Sequence, residues 1–160
     1  MLIKEDYIIV LKINFLGQLQ DRKNFTTAFV AFLQPKKDAL CDVCNVRLLS
    51  NPLRILDCKS TECQSVFAQA PKLSDFFSKE TNHEWKTLQE TLQELSVNFE
   101  IDHSLVRGLD YYNKTVFEFV SVNLGAQNTF CGGGRYDGLA QQLGSKTEIP
   151  AFGCAIGLER

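Results

Sequence analysis

The hydrophobic pattern at the start of the chain predicts a strand followed by a helix. Residues 8–14 form a short β-branched run that is typical of a strand. From Phe25 to Leu33 the apolar residues recur at helical spacing. Asp21 is the predicted N-cap of this helix, and Pro35 ends or kinks it.

A predominantly helical block follows. Helical stretches are predicted over residues 35–49 and 62–69, and Pro71 stops the second. Residues 53–57, between them, are predicted to be short and extended. The clearest helix is predicted over residues 78–96, with Thr81 as a candidate cap. Its apolar stripe predicts packing on a core and consists of Trp85, Leu88, Leu92 and Leu95.

After the helix predicted over residues 78–96, the apolar residues recur with a period of two, as in a strand. Residues 98–102, 115–122 and 129–131 alternate or are rich in β-formers, which predicts neighbouring antiparallel strands. A short helix over residues 137–143 and a strand turning into a helix over residues 151–160 complete the chain. The predicted fold class is α+β, an antiparallel sheet with a mostly helical insert.

Composition narrows the possible functions only modestly. The chain has 160 residues, of which 44% are hydrophobic, and a net charge of -2, so no global basic field indicates nucleic acid. No apolar run approaches the roughly 20 residues that a membrane helix needs. The N-terminus lacks the features of a signal peptide, which makes a cytoplasmic location the default expectation.

Six cysteines are then expected to be reduced thiols or metal ligands. Two residues separate Cys41 from Cys44, four separate Cys58 from Cys63, and 13 lie between the two pairs. Four thiolates at this spacing are compatible with a tetrahedral zinc site. We favour unpaired thiols and no metal, because Cys41 and Cys44 fall within a predicted helix.

Two segments carry the same three chemistries. Residues 107–112 and 131–139 each combine an arginine, a glycine and a tyrosine. Arg107 offers a planar fork for phosphate or carboxylate. The alternative for Arg107 is a structural ion pair with Asp110 or Glu118.

Neighbouring residues suggest a ligand pocket. Tyr111 and Tyr112 would point to opposite faces of an extended chain, one into the core and one into a pocket. Residues 132–134 are three glycines that match neither nucleotide-binding fingerprint, yet beside Tyr136 they favour a loop that approaches a ligand. These features suit a small polar ligand beside a nucleotide phosphate.

Residues 105–112 resemble the first histidine-specific motif of histidyl-tRNA synthetases, and residues 133–139 resemble the second. Residues 153–160 are similar to motif 3 of class II aminoacyl-tRNA synthetases. Segments at 13–17 and 51–57 extend the likeness, in order, over essentially the whole chain. The resemblance implies a ligase that activates L-histidine with ATP and Mg²⁺ and transfers it to tRNA(His).

The resemblance also assigns roles. Arg107 matches the catalytic arginine, which contacts the ATP α-phosphate and the histidine carboxylate. Arg160 matches the motif 3 arginine, which stacks on adenine and meets the γ-phosphate. The implied histidine-binding residues are Arg107, Tyr111, Tyr112, Gly133, Gly134 and Tyr136.

The implied domains are residues 1–34 and 97–160 of the catalytic domain, with residues 35–96 as an insertion domain near the tRNA acceptor stem. Its basic residues are candidates for phosphate contacts or an ordinary solvated surface: Lys36, Lys37, Arg47, Arg54 and Lys59. The family is homodimeric. Motif 1, motif 2 and the anticodon-binding domain have no counterpart in these residues, so we expect a fragment that is inactive alone.

Two alternatives stay open. One is a non-catalytic paralogue, such as the regulatory subunit of ATP phosphoribosyltransferase. The helical insert and Arg107 argue against it, because regulatory members tend to lose both. The other is a zinc-stabilised RNA-binding module centred on residues 41–63, which a metal assay would separate from the rest.

Overall fold

Five strands form one mixed sheet in a computed structural model that describes residues 8–107, 111–121 and 128–158. The strand order is β2-β1-β3-β4-β5, and all neighbours are antiparallel except β1 and β2. The strands are β1 (Ile9–Phe15), β2 (Glu100–Ile101), β3 (Asn113–Ser121), β4 (Thr129–Arg135) and β5 (Phe152–Ile156).

The position of β2 corrects one prediction. Residues 98–102 were expected beside the other late strands in antiparallel pairing, but β2 lies on the far side of β1 and runs parallel to it, with Lys12 opposite Glu100. A parallel pair needs a long crossover between its strands. The whole helical block provides that crossover, and the α+β class is confirmed.

Within the described residues, five α-helices and three 3₁₀ helices connect the strands. The α-helices are α1 (Leu19–Leu33), α2 (Asp42–Ser50), α3 (Thr61–Phe67), α4 (Lys79–Glu94) and α5 (Leu139–Gln142). The 3₁₀ helices span Gln34–Ala39, Pro52–Asp57 and Leu73–Phe76.

Two predicted elements are wrong in this block. The single helix over residues 35–49 is broken, because Leu40 and Cys41 are both extended before α2 begins. Residues 53–57 are helical rather than extended, and Pro52 begins their 3₁₀ turn, where its fixed φ and missing N–H cost nothing.

The predicted caps are displaced by one turn. Asp21 is the third residue of α1, and its carboxylate accepts from the backbone N–H of Gln18, which is the N-cap (2.9 Å). The same buried carboxylate accepts from the N–H of Ser78 (3.0 Å) and the hydroxyl of Thr81 (2.6 Å). Ser78, rather than Thr81, caps α4. Asp21 therefore ties the start of α1 to the start of α4.

The core lies on both faces of the sheet, since Val116 and Phe117 alternate along β3. On one face, Val116 joins a cluster that runs through α1 into the helical block. On the other, Ile13 and Phe15 pack against Trp85 of α4, and the Phe15 and Trp85 rings stack at 5.4 Å. The predicted stripe on α4 is confirmed except at Leu95, which is 68% exposed.

Candidate functional site

Three glycines form the floor of the candidate site. Gly132 and Gly134 are two apart in β4 and face the same side of the sheet, and Gly153 of β5 lies opposite Gly134. A Cβ atom on Gly132 would lie 2.6 Å from Nη1 of Arg107, and one on Gly134 would lie 2.9 Å from the Tyr112 ring. The hydroxyl of Tyr136 occupies the space above Gly153. Side chains therefore rest directly on the backbone of the floor.

Gly133 faces the other way and has a different role. A Cβ atom there would overlap the carbonyl oxygen of Gly153 and approach Cys154 at 2.7 Å. The pairing of β4 with β5 thus requires glycine at this position.

The three tyrosines of the two motifs form one aromatic cluster. The rings of Tyr111 and Tyr112 lie 4.6 Å apart, and Tyr136 meets them edge-on at 5.6 and 6.0 Å. Tyr111 lies in a turn, so the extended chain that would separate the two rings onto opposite faces is not formed here; Tyr112 is buried in the core and Tyr111 lines a cavity. Burial, together with the neighbouring Tyr111 hydroxyl, raises the pKa of Tyr112. Its hydroxyl therefore stays protonated.

Arg107 forms an ion pair with Glu118 of β3. Nη1 of Arg107 lies 2.5 Å from Oε1 of Glu118, and the hydroxyl of Thr129 donates to Oε2 of Glu118 (2.9 Å). The guanidinium carbon also lies 6.0 Å from the Tyr112 ring centroid. The predicted pairing with Glu118 is present, whereas Asp110 lies outside the described residues. A guanidinium has five N–H donors, so this contact is compatible with ligand binding.

Two polar residues that sequence reasoning missed hold the backbone around Arg107 and Tyr112. The buried side-chain amide of Asn14 donates to the carbonyl of Leu105 (3.0 Å), two residues before Arg107. Nη1 of Arg22 donates to the carbonyl of Tyr112 (2.8 Å). In the sequence, Asn14 stands out as a polar residue at the end of an apolar strand. Such a signal is weak when the partner of the side chain is unknown.

Asp137 performs the same task for Tyr136. Its buried carboxylate accepts from Nε of Arg135 (2.7 Å) and from the N–H of Ala151 (3.0 Å). Burial acts to raise the pKa of Asp137, but these hydrogen bonds, chiefly that of Arg135, hold it below its usual value. The N–H of Tyr136 donates to the carbonyl of Ala151 (2.9 Å), so one buried anion fixes both ends of the connection from β4 to β5.

Two cavities border the tyrosine cluster. One, of about 210 Å³, lies beside Arg107 and Tyr112 and is closed by the helical block through Asn51, Leu53 and Arg54. The other, of about 580 Å³, opens beside Tyr111. Arg22 lines both cavities. Arg160 lies outside the described residues.

Four cysteines converge in the helical block, away from this site. The sulfur atoms of Cys41, Cys44, Cys58 and Cys63 all lie within 4.8 Å of one another. Cys41 is the N-cap of α2 and not part of a helix, which removes the argument for unrelated thiols. A backbone hydrogen bond at Cys44 lowers the pKa of Cys41 to about 7, whereas burial raises the pKa of Cys44.

Comparison with solved structures identifies the class of protein to which this fold belongs. The apo crystal structure of Staphylococcus aureus histidyl-tRNA synthetase matches with a TM-score of 0.71 and 34% identity, over 95% of this chain and 36% of that one. The fold is therefore that of part of a class II aminoacyl-tRNA synthetase, a mostly antiparallel sheet with helices. A family model described as histidyl-tRNA synthetase matches residues 37–160. This chain belongs to the histidyl-tRNA synthetase family.

More distant structures share the fold. Histidyl-tRNA synthetase from Nostoc sp. PCC 7120 is 20% identical, with a TM-score of 0.53 over 94% of this chain and 40% of its own. A protein described as an ATP phosphoribosyltransferase regulatory subunit/histidyl-tRNA synthetase from Bacillus halodurans C is 18% identical, with a TM-score of 0.50 over 92% of this chain and 42% of its own. The chain thus spans 36–42% of the length of these three relatives.

Among the described residues, every helix is too short or too polar to cross a lipid bilayer.

Proposed function

We propose that this chain supplies the histidine-binding face, and part of the ATP-binding face, of a histidyl-tRNA synthetase. The observation that carries the proposal is the arrangement over the glycine floor. There a guanidinium lies beside three packed tyrosines, with bare backbone beneath them. Family membership supports a ligase, and this arrangement suits a zwitterionic amino acid with an aromatic side chain.

The proposed reaction begins with adenylation. A carboxylate oxygen of L-histidine attacks the α-phosphorus of ATP, the bond to the bridging oxygen breaks, and pyrophosphate leaves with Mg²⁺. Negative charge builds on the α-phosphate oxygens in the transition state. Arg107, held by Glu118 and Tyr112, is the proposed catalytic residue that stabilises this charge and orients the carboxylate.

The histidine side chain is proposed to lie among the tyrosines. Tyr112, kept protonated by burial, is a suitable donor to an imidazole nitrogen, while Tyr111 and Tyr136 form the walls. Gly133 and Gly134 are proposed to meet the ligand through their backbone, since Gly133 faces the other side of the sheet and the Tyr112 ring lies over Gly134. Arg160 is the proposed contact for adenine and the γ-phosphate.

The remaining parts of the proposal follow from the family. Transfer of the histidyl group to tRNA(His) in a cytoplasmic homodimer completes the reaction. The insertion domain, residues 35–96, is the proposed neighbour of the acceptor stem, with the basic residues of the helical block as phosphate contacts. The alternative of a regulatory subunit gains no support from the 18% identical structure, which carries the fold alone.

Calorimetric titration of L-histidine and of histidinol, which lacks the carboxylate, tests the site. We expect the folded Arg107→Gln chain to bind L-histidine at least tenfold more weakly (about 1.4 kcal/mol), with little change for histidinol. Tyr112→Phe should weaken both ligands, because both carry the imidazole.

Arg47→Gln is the matched control, since Arg47 lines neither cavity beside the tyrosines and contacts the carbonyl of Arg54 in the helical block. Equal L-histidine affinity in Arg107→Gln and the unaltered chain would contradict the role given to Arg107.

A further inference from the structure

The four-cysteine cluster in the helical block has the geometry of a metal site. Its sulfur atoms lie within 4.8 Å of one another, and those of Cys41 and Cys58 are 3.8 Å apart. A tetrahedral zinc ion with Zn–S bonds of about 2.3 Å places its sulfur ligands about 3.8 Å from one another. A disulfide would require about 2.05 Å.

The backbone presents these thiols in a way that suits thiolates. Cys44 is the third residue of α2 and Cys63 the third of α3, so the first turns of two helices hold these sulfurs in place. The backbone N–H of Cys41 lies 3.2 Å from the sulfur of Cys63. This contact is a hydrogen bond that partly offsets the charge of a thiolate ligand.

Burial distinguishes the cluster from surface thiols. Cys44 and Cys63 have no exposed surface, Cys58 is almost as buried, and Cys41 is half-buried. Cys44, Cys58 and Cys63 belong to the core cluster that reaches into the helical block, and Cys41 packs against it. Four protein ligands around a closed centre leave no position for substrate, which is the pattern of a structural ion rather than a catalytic one.

The ligand set also selects among metals. Four thiolates favour soft or borderline ions over Mg²⁺ or Ca²⁺. A multinuclear iron–sulfur cluster holds several irons and bridging sulfides between its cysteines, so it needs a wider cage than this one.

We propose that Cys41, Cys44, Cys58 and Cys63 bind one structural zinc ion. The ion joins α2, the end of the 3₁₀ helix Pro52–Asp57, and α3, which are separate short elements. Three residues that close the cavity beside Arg107, namely Asn51, Leu53 and Arg54, lie on the chain between the two cysteine pairs. Zinc therefore fixes the part of the helical block that meets the candidate site.

Metal analysis of the chain purified in reductant without chelator tests the site directly. We expect about one zinc per chain by mass spectrometry, and after exchange a cobalt spectrum with the charge-transfer bands of tetrathiolate coordination. Cys44→Ser and the milder Cys41→Ser should reduce the zinc content at least tenfold. Cys154→Ser, an exposed thiol of β5 outside the cluster, is the matched control and should retain it.

A cysteine variant that fails to fold would leave its zinc content uninformative, so a second measurement uses the unaltered chain. Titration with a mercurial reagent should release one zinc after the four cluster thiols react, and chelation at high temperature should lower the melting temperature. A folded chain with six free thiols that takes up less than a tenth of an equivalent of added zinc would overturn the proposal. So would two disulfides among the four cysteines, or stoichiometric iron in place of zinc.

Discussion

At the residue scale, the candidate site depends on glycines, because they have no side chain. Gly132, Gly134 and Gly153 each lie where a methyl group would meet a functional side chain. The two motifs therefore depend on one another, because the arginine and tyrosines of one need the glycines of the other. Neither motif forms the surface alone.

Replacing Gly134 by alanine tests this dependence. The new Cβ would meet the carbonyl oxygen of Thr115 at 2.5 Å and the Tyr112 ring at 2.9 Å. Since backbone cannot yield easily, we expect a loss of about 1–3 kcal/mol in the free energy of unfolding, and weaker binding of L-histidine. Urea denaturation and calorimetry measure the two effects.

Gly138→Ala is the control for that variant. A Cβ atom at Gly138 meets nothing within 4 Å, and its φ of -79° is ordinary for any residue. We expect a change within about 0.5 kcal/mol. Equal effects at Gly134 and Gly138 would mean that the contact with Tyr112 is not what matters.

The lowered pKa of Asp137 predicts how the stability of the chain depends on pH. Its pKa is lowered in the folded state, so its contribution to stability is complete above the unfolded value of about 3.9 and is lost as the pH falls through the folded value. Asp137→Asn should cost about 1–3 kcal/mol at pH 7, and the difference from the unaltered chain should shrink towards pH 3.

Urea unfolding at both pH values measures the effect of Asp137→Asn, with the exposed Asp38→Asn as control. A difference that stays constant between pH 7 and pH 3 would contradict the role of the charge.

At the element scale, one buried carboxylate joins two helices that are far apart in the sequence. Asp21 accepts hydrogen bonds from Gln18 in its own helix and from Ser78 and Thr81 at the start of α4. Asp21→Ala leaves these buried donors without their acceptor, and we expect a loss of about 2–4 kcal/mol in the free energy of unfolding.

Asp42→Ala is the matched comparison, since Asp42 is an exposed carboxylate in the first turn of α2. It should cost about 0.3–1 kcal/mol, the usual effect of a helix dipole. Thermal denaturation of both variants measures the two losses of stability. Similar losses would show that Asp21 acts only within its own helix.

Patterning predicted the elements well where one periodicity runs undisturbed. The strand β1 and the helix α4 follow from such runs. The short segments between residues 34 and 57 were not predicted correctly, because 3₁₀ turns have no apolar period and their ends depend on tertiary contacts. The parallel pairing of β2 is likewise invisible in a strand of two residues.

The candidate site was predictable to the extent that its residues are sequence neighbours. Both motifs stand out in the chain, and the pairing of Arg107 with Glu118 was one of two alternatives. Asn14 and Arg22 were not predictable, because their partners lie about 90 residues away. The cysteine spacing was compatible with zinc but led us to favour unpaired thiols, and only the fold brings the two pairs together.

At the scale of the whole molecule, the sheet has an apolar edge. Within the part of the chain that the structure describes, β5 pairs with β4 on one side only. Phe152 and Ile156 lie on one face of β5 and are 62% and 58% exposed. An unpaired, apolar edge strand is a template for another strand.

We therefore expect this 160-residue chain to self-associate through β5. Ile156→Lys should reduce the associated fraction in sedimentation velocity, because a charge at the edge opposes pairing. Leu143→Lys, at an 80% exposed position outside the sheet, should have no such effect. Association that persists unchanged in Ile156→Lys would place the contact elsewhere.

The glycine floor also limits how this site can be redesigned. An engineer who wishes the pocket to accept a different amino acid has no side chain to exchange on the floor, and any addition there displaces Arg107, Tyr112 or Tyr136. New specificity must come from the walls, above all Tyr111 and Tyr136, which are only partly buried. A library that varies these two positions should therefore leave residues 132–134 and Gly153 untouched.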